Sequence, residues 1–254
     1  MITGDLAPVR HDIESWNMSG FDFRCTCEAL GFDQLPFPLG YRNRQTYMEE
    51  VEADRIAALD RQRAGMNQYR IYVLEALRHP ALIVRGFGKI NRGPSEKIYR
   101  LFGAIGTNAY SAVITQDPSD EYLFGSDVQV RGCANIDFPQ VLIRALPEFR
   151  PGKHARQDIP RKSDSLSKLF QGLNITSSIL LSVSVDFSLD YELRDPVHLT
   201  LVNIATDGAY LVNENPDVIQ IVPATIPNLI KTFHTVEAIQ ANAAQKLAAH
   251  RQTD

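Results

Sequence analysis

The chain has 254 residues, 44% of them apolar and 22% charged, with a formal net charge of −4. That is enough chain to bury a substantial core, and the balance is that of an ordinary globular protein. The acidic pI, near 5.9, argues against a nucleic-acid binder, which needs a basic face.

The opening MITGDLAPVRHD is polar and broken by Pro8, unlike a secretory leader. The longest apolar run, residues 179–185, is too short to cross a bilayer. A cytoplasmic protein with no membrane insertion is expected. Three cysteines suit a reducing compartment. Cys25-Thr26-Cys27 is poor zinc geometry, so buried free thiols are expected.

Residues 9–18 alternate as a strand, with Val9, His11, Ile13 and Ser15 on one face and Trp16 and Met18 on the other. Ser19 then reads as a helix N-cap, with Asp22 three residues on and Gly31 as the stop. The same stretch also alternates, so a strand remains open there. EALGFDQLPFPLGY follows, residues 28–41. Each proline fixes its own φ and drives the preceding residue to an extended shape. This predicts a rod-like strap carrying Leu35, Phe37 and Leu39, either as an internal brace or as apolar teeth for a partner.

TYME, from Thr46, is a capping box opening a helix that ends at Gly65. Asn67 caps a second helix, 68–78, stopped by His79-Pro80. Together they predict a helical hairpin. Strand-rich runs follow at 81–86, 97–105, 109–116 and 121–132. Asn91-Arg92-Gly93-Pro94, Gly106-Thr107-Asn108 and Asp117-Pro118-Ser119-Asp120 separate them, the pattern of an antiparallel meander. A helix over 138–146 ends the first half. The polar, proline-bearing segment 147–163 reads as a connection.

The second half predicts a helix over 166–173 and strands over 179–195, 197–205, 208–212 and 217–222. Residues 175–195 fit a strand or a helix. A long helix runs from about 226 to 250, with Ile226, Leu229, Phe233 and Val236 spaced by three and four. DVQVRGCANIDFPQVLIRAL, from Asp127, echoes DVIQIVPATIPNLIKTF, from Asp217: strand, turn, proline, helix. A true echo predicts one domain over 1–254 built of two pseudo-twofold halves, about 1–146 and 164–254.

Chemistry is sparse. Gly86-Phe87-Gly88-Lys89 lacks the Ser/Thr and the following helix of a phosphate loop. No GxSxG, HExxH or CxxC motif occurs. The six histidines are scattered. His198 and His234 with nearby acids define the alternative function, a small-molecule hydrolase-like enzyme. Asp186, Asp190, Glu192 and Asp195 fit a solvated face better than a cation site. No catalytic, cofactor or metal residue follows, and an inert scaffold is the third possibility.

The ordered motifs carry a resemblance. EALGFDQLPFPL resembles the E-a-L-G-x-x-x-L-P-(aromatic)-P-L opening of the EspG proteins, cytosolic chaperones of type VII (ESX) secretion in actinobacteria. TYMEEVEADRIAALDRQRAG, LEALRHP and NAYSAVITQD follow in the family's order. IDFPQVLIRALPEFRPGKHARQDIP is similar to its L-P-x-x-x-P-G exit from the mid-chain helix. TDGAYLV resembles its D-x-x-G-R-Y-L turn, and VIQIVPATIPNLIKTF its last strand and terminal helix.

The resemblance spans residues 19–239. It implies an α+β fold: a central twisted antiparallel sheet flanked by helices, two pseudo-twofold halves and a long C-terminal helix. It implies neither catalysis nor a cofactor. The implied partner is a PE–PPE heterodimer, whose aggregation-prone PPE tip the chaperone would cover until the ESX machinery takes it. On this basis docking is expected on the strand 217–222 and the start of the last helix. The residues are Ile219, Ile221, Leu229, Ile230 and Phe233, with core packing as the competing role of each. A homodimer remains open.

Overall fold

The computed structural model describes residues 13–43, 45, 47–92, 95–161, 170–188 and 191–251. The chain begins with β1 (Glu14–Met18), then α1 (Gly20–Ala29), α2 (Met48–Gly65) and α3 (Gln68–Arg78). A meander follows: β2 (Pro80–Arg92), β3 (Ser95–Gly106), β4 (Tyr110–Pro118) and β5 (Gly125–Ala134). One 3-10 turn, Asn135–Asp137, leads into α4 (Phe138–Ala145). The second half runs β6 (Gln157–Pro160), β7 (Ile175–Ser184), β8 (Val197–Ile204), β9 (Gly208–Glu214), β10 (Val218–Pro223) and α5 (Ile226–Arg251).

All ten strands form one sheet in the order β1-β5-β4-β3-β2-β7-β8-β9-β10-β6. Every neighbouring pair is antiparallel. The order repeats about the centre. Each half is a four-strand meander whose last strand is flanked by the strand preceding that half and is followed by a helix. The two meanders meet at the β2–β7 pair. The echoed sequences are β5 with α4 and β10 with α5, so the repeat legible in the residues is the repeat of the topology.

Glycine makes the central seam possible. A Cβ on Gly88 would sit 2.0 Å from the Ser178 carbonyl oxygen of β7. The Gly86-Phe87-Gly88-Lys89 run is thus mid-strand, and Gly88 serves close backbone approach.

Alternate residues of each strand feed opposite faces. One face packs under α4 and α5. Val84, Leu101, Ile179, Leu181 and Leu201 meet Phe138, Leu142, Leu229 and Phe233 there. The opposite face is covered at its two ends. At the β1 end, Phe102, Ile114 and Val130 meet Phe23 of α1 and Val73, Leu74 and Leu77 of α3. At the β10 end, Val202, Tyr210, Val212, Ile219 and Ile221 meet Ile159, Phe170 and Ile175.

Several local expectations hold and others change. Ser19 Oγ accepts from Asp22 N–H at 3.0 Å, and α1 is a helix ending before Gly31, whose φ is +89°. The α2–α3 hairpin does not form: α2 lies on α1, while α3 lies on β3, β4 and β5. The reason is in their faces. α3 buries Val73, Leu74, Ala76 and Leu77, whereas α2 buries Ala58 alone.

Thr46 of the expected capping box lies outside the described residues, as do residues 9–12, Gly93, Pro94, 162–169 and Asp190. The described start of α2, at Tyr47, has no side-chain cap. Residues 170–173 are turn, and the segment read as a connection contains strand β6.

The β7 strand stops at Ser184, short of the expected 195. Ser184 Oγ accepts from Asp186 N–H at 3.0 Å and lies 2.7 Å from the Arg194 carbonyl, closing the excursion 185–196. Tyr191 and Asp195 within it take positive φ, which no strand allows. Its Phe187, Tyr191 and Leu193 fold back onto the first half, where Tyr191 stacks on Phe32.

The strap is not a rod. Leu39 N–H donates to the Pro36 carbonyl at 3.0 Å, and the Phe37–Pro38 peptide is cis. This is the geometry of a type VI turn, open to X–Pro because a tertiary amide weakens the trans preference. Leu39 is buried and Leu35 partly so, while Phe37 stands outward.

Candidate functional site

Between the two covered ends, the centre of one sheet face is open. Phe87 of β2 and Leu180 of β7 are direct register partners there. Leu180 is 43% exposed, although its neighbours Ile179 and Leu181 are buried on the helix-covered face. Phe37 leans over Phe87 with ring centroids 5.5 Å apart. Tyr122 meets Phe87 edge-on at 6.3 Å. Tyr122 and Leu123, in the β4–β5 connection, are largely exposed.

The result is an apolar strip running from Leu123 through Tyr122, Phe37 and Phe87 to Leu180. On the same face, at the β10 end, lies a cavity of about 450 Å³ lined by Phe170, Leu173, Ile204, Tyr210 and Ile221. Its mouth is polar. Tyr210 Oη donates to Asp207 Oδ2 at 2.7 Å, and Lys153 N–H donates to Asp207 Oδ1 at 2.9 Å. Those two hydrogen bonds, the tyrosine's first, hold the Asp207 carboxyl below the usual carboxylate range.

Two cations lie in the floor of the strip. Arg85 donates to the Tyr191 carbonyl, and its guanidinium carbon is 5.5 Å from the Phe37 ring centroid. Arg100 is 1% exposed and donates to the Tyr122 carbonyl. Burial lowers the pKa of both.

The five residues expected at the docking surface fall in two places. Ile219 and Ile221 are buried at the β10 end of the open face, and Ile221 lines the cavity. Leu229 and Phe233 are buried under the opposite face, and Ile230 is partly buried beside them. The sheet separates the two groups, so they do not form one surface. Four of the five are at most 7% exposed. Strand and helix periodicity finds apolar residues but not which face another element covers. Phe37 was within reach of the sequence, as an alternative for the strap. Phe87, Tyr122 and Leu180 carried no local signal.

The two histidines of the enzyme alternative are not brought together. His198 points to the open face and His234 sits on α5, behind the sheet. His198 Nδ1 is 2.9 Å from Ser182 Oγ, and His234 Nδ1 is 3.3 Å from Glu237. Among the described residues no group of three His, Cys, Asp or Glu is placed to hold a metal ion. Cys25, Cys27 and Cys133 are buried and free. Burial pushes the Cys133 thiol up to about 12 and Cys27 still further. No helix among the described residues is long and apolar enough to cross a membrane.

No family model matches the chain, and no curated protein matches it. Among solved structures it is similar to the Mycobacterium tuberculosis type VII secretion system chaperone EspG5, in complex with the PE25–PPE41 dimer. The TM-score is 0.58 at 13% identity, covering 88% of this chain and 95% of that one. Likeness at this identity speaks to fold, and the protein has the α+β fold of an EspG chaperone.

Proposed function

We propose that the protein is a cytosolic chaperone of type VII secretion that binds a PE–PPE heterodimer and keeps it soluble for export. The observation that carries this reading is the open centre of the sheet, where exposed Phe37, Tyr122 and Leu180 and half-buried Phe87 form one apolar strip. A contiguous apolar patch on a protein surface marks an interaction site. A helical tip laid on a sheet face, with its apolar side chains in a groove, is an established recognition mode. The EspG5-like fold supports the same reading, and nothing at His198 or His234 favours catalysis.

The occupant is the apolar tip of the PPE subunit. It lies along the strip, with the β10-end cavity receiving an apolar side chain. Ile219 and Ile221 contribute from beneath by shaping that cavity. Leu229, Ile230 and Phe233 contribute from the far side by holding the sheet against α5.

The test is co-expression with PE–PPE pairs encoded in the same genome, followed by affinity capture and size-exclusion chromatography. A stoichiometric complex that keeps the pair soluble is expected. If every pair precipitates as it does alone, the reading fails.

A further inference from the structure

Resting on the chaperone reading, we infer that the strip recognises a carboxylate, an Asp or Glu side chain carried on the docked apolar tip, through Arg85 with Arg100 beneath it. Both arginines flank Phe87. Arg85 lies two residues before it on the same face of β2, and Arg100 is its register partner on β3. They therefore sit in the floor of the strip that a partner would cover.

Neither has a carboxylate within ion-pair distance among the described residues. Arg100 Nη1 and Arg85 Nε are buried with no hydrogen-bond partner. Their acceptors are main-chain carbonyls, of Tyr122 and Tyr191. Glu192 exerts some pull on Arg85, but it is an exposed residue and not in contact.

A buried guanidinium without an anion is a liability that apolar replacement would relieve. A guanidinium with vacant N–H groups beside an exposed apolar strip is also a selective receptor. It accepts a planar carboxylate in fork geometry and disfavours a purely apolar or cationic tip. Covering the strip removes water and strengthens the pair, so the charge contributes when the face is occupied. The Phe37 ring centroid lies 5.5 Å from the Arg85 guanidinium carbon, a cation–π distance that places this cation next to the strip.

The experiment is titration calorimetry with the captured PE–PPE dimer, using wild type, Arg85→Gln and Arg100→Met. At least a tenfold loss of affinity is expected for each, with a flatter dependence on salt and no fall in thermal midpoint for Arg100→Met. Arg85→Lys, which keeps charge but not the fork, falls between. If wild type binds and both variants bind within twofold of it, this inference fails and the chaperone reading stands.

If wild type captures no PE–PPE pair, the chaperone reading fails, and the isolated protein decides the arginine site. Its thermal midpoint is compared in sodium acetate and sodium chloride at equal ionic strength. A gain in acetate that the Arg85→Gln/Arg100→Met double variant lacks supports a carboxylate site. Equal shifts overturn it.

Discussion

Phe87 of β2 and Leu180 of β7 face each other across the central strand pair, at the seam where the two four-strand meanders join. A pair of large apolar side chains at the middle of a ten-stranded sheet is ordinarily core. Here α1 and α3 cover one end of that face, and the Phe170 segment covers the other. Leu180 is left 43% exposed between them. Coverage at the two ends of the face leaves the seam itself open.

Leu180→Asp places a charge in the strip without touching a core. Folding stability is expected to change by no more than about 1 kcal/mol, the range for exposed strand positions. Capture of the PE–PPE pair is expected to weaken by at least tenfold, which is about 1.4 kcal/mol. Urea unfolding and calorimetry on one preparation check both. Unchanged affinity would remove the strip from the docking surface.

Gly88 and Gly86 provide a graded test of the seam. A Cβ on Gly88 meets backbone, the Ser178 carbonyl at 2.0 Å, whereas one on Gly86 meets side chains of Leu101 and Leu181 at 3.1 and 3.2 Å. Gly88→Ala is expected to cost roughly 3 kcal/mol and Gly86→Ala roughly 1 kcal/mol, the range for overpacked sites. Denaturant midpoints give the order. Equal, small losses would show that the β2–β7 approach is looser than described.

Helix α2 should be the most readily detached regular element. It buries only Ala58 and is tied to α1 by Arg61 Nη2, 2.6 Å from Asp22 Oδ1. Arg61 is exposed but Asp22 is largely buried, so Arg61→Ala, which lets water reach the carboxylate as α2 detaches, is expected to lower the global thermal midpoint by no more than a few degrees. Amide exchange across residues 48–65 should accelerate, while exchange in α3 does not. Uniform acceleration would indicate that α2 is part of the cooperative core.

Asp207 ties the 150–154 segment to the β8–β9 turn, accepting from Tyr210 Oη and Lys153 N–H. Its folded carboxyl titrates below the ordinary range. A depressed carboxylate contributes stability that is present above the unfolded value, near 4, and lost as pH falls through the folded value. Amide exchange at residues 152–154 should therefore rise on acidification below pH about 4, and Asp207→Asn should remove that dependence. A pH profile identical in the variant would refute the assignment.

Much of the local structure was legible because its causes are local. Ser19 and Asn67 cap their helices with side-chain oxygens, as their positions before apolar runs predict. His79-Pro80 ends α3. The echo between the segments from Asp127 and Asp217 carried the two-half plan, because each half must bury a sheet face under its own helix. The strap was misread. Proline restricts φ, but whether Phe37–Pro38 is cis is settled by what Leu39 and Phe37 pack on.

What the residues determined alone was therefore the inventory of elements, the α+β class and the absence of a recognisable catalytic motif. Periodicity, capping and turn chemistry act over a few residues and need no partner. What only the tertiary structure decided was which apolar residues remain uncovered. Ile219, Leu229 and Phe233 are as apolar as Leu180, and burial alone separates them. Exposure is a property of what another element covers, and that depends on which strands meet: here on β2 pairing with β7, about ninety residues apart in the chain.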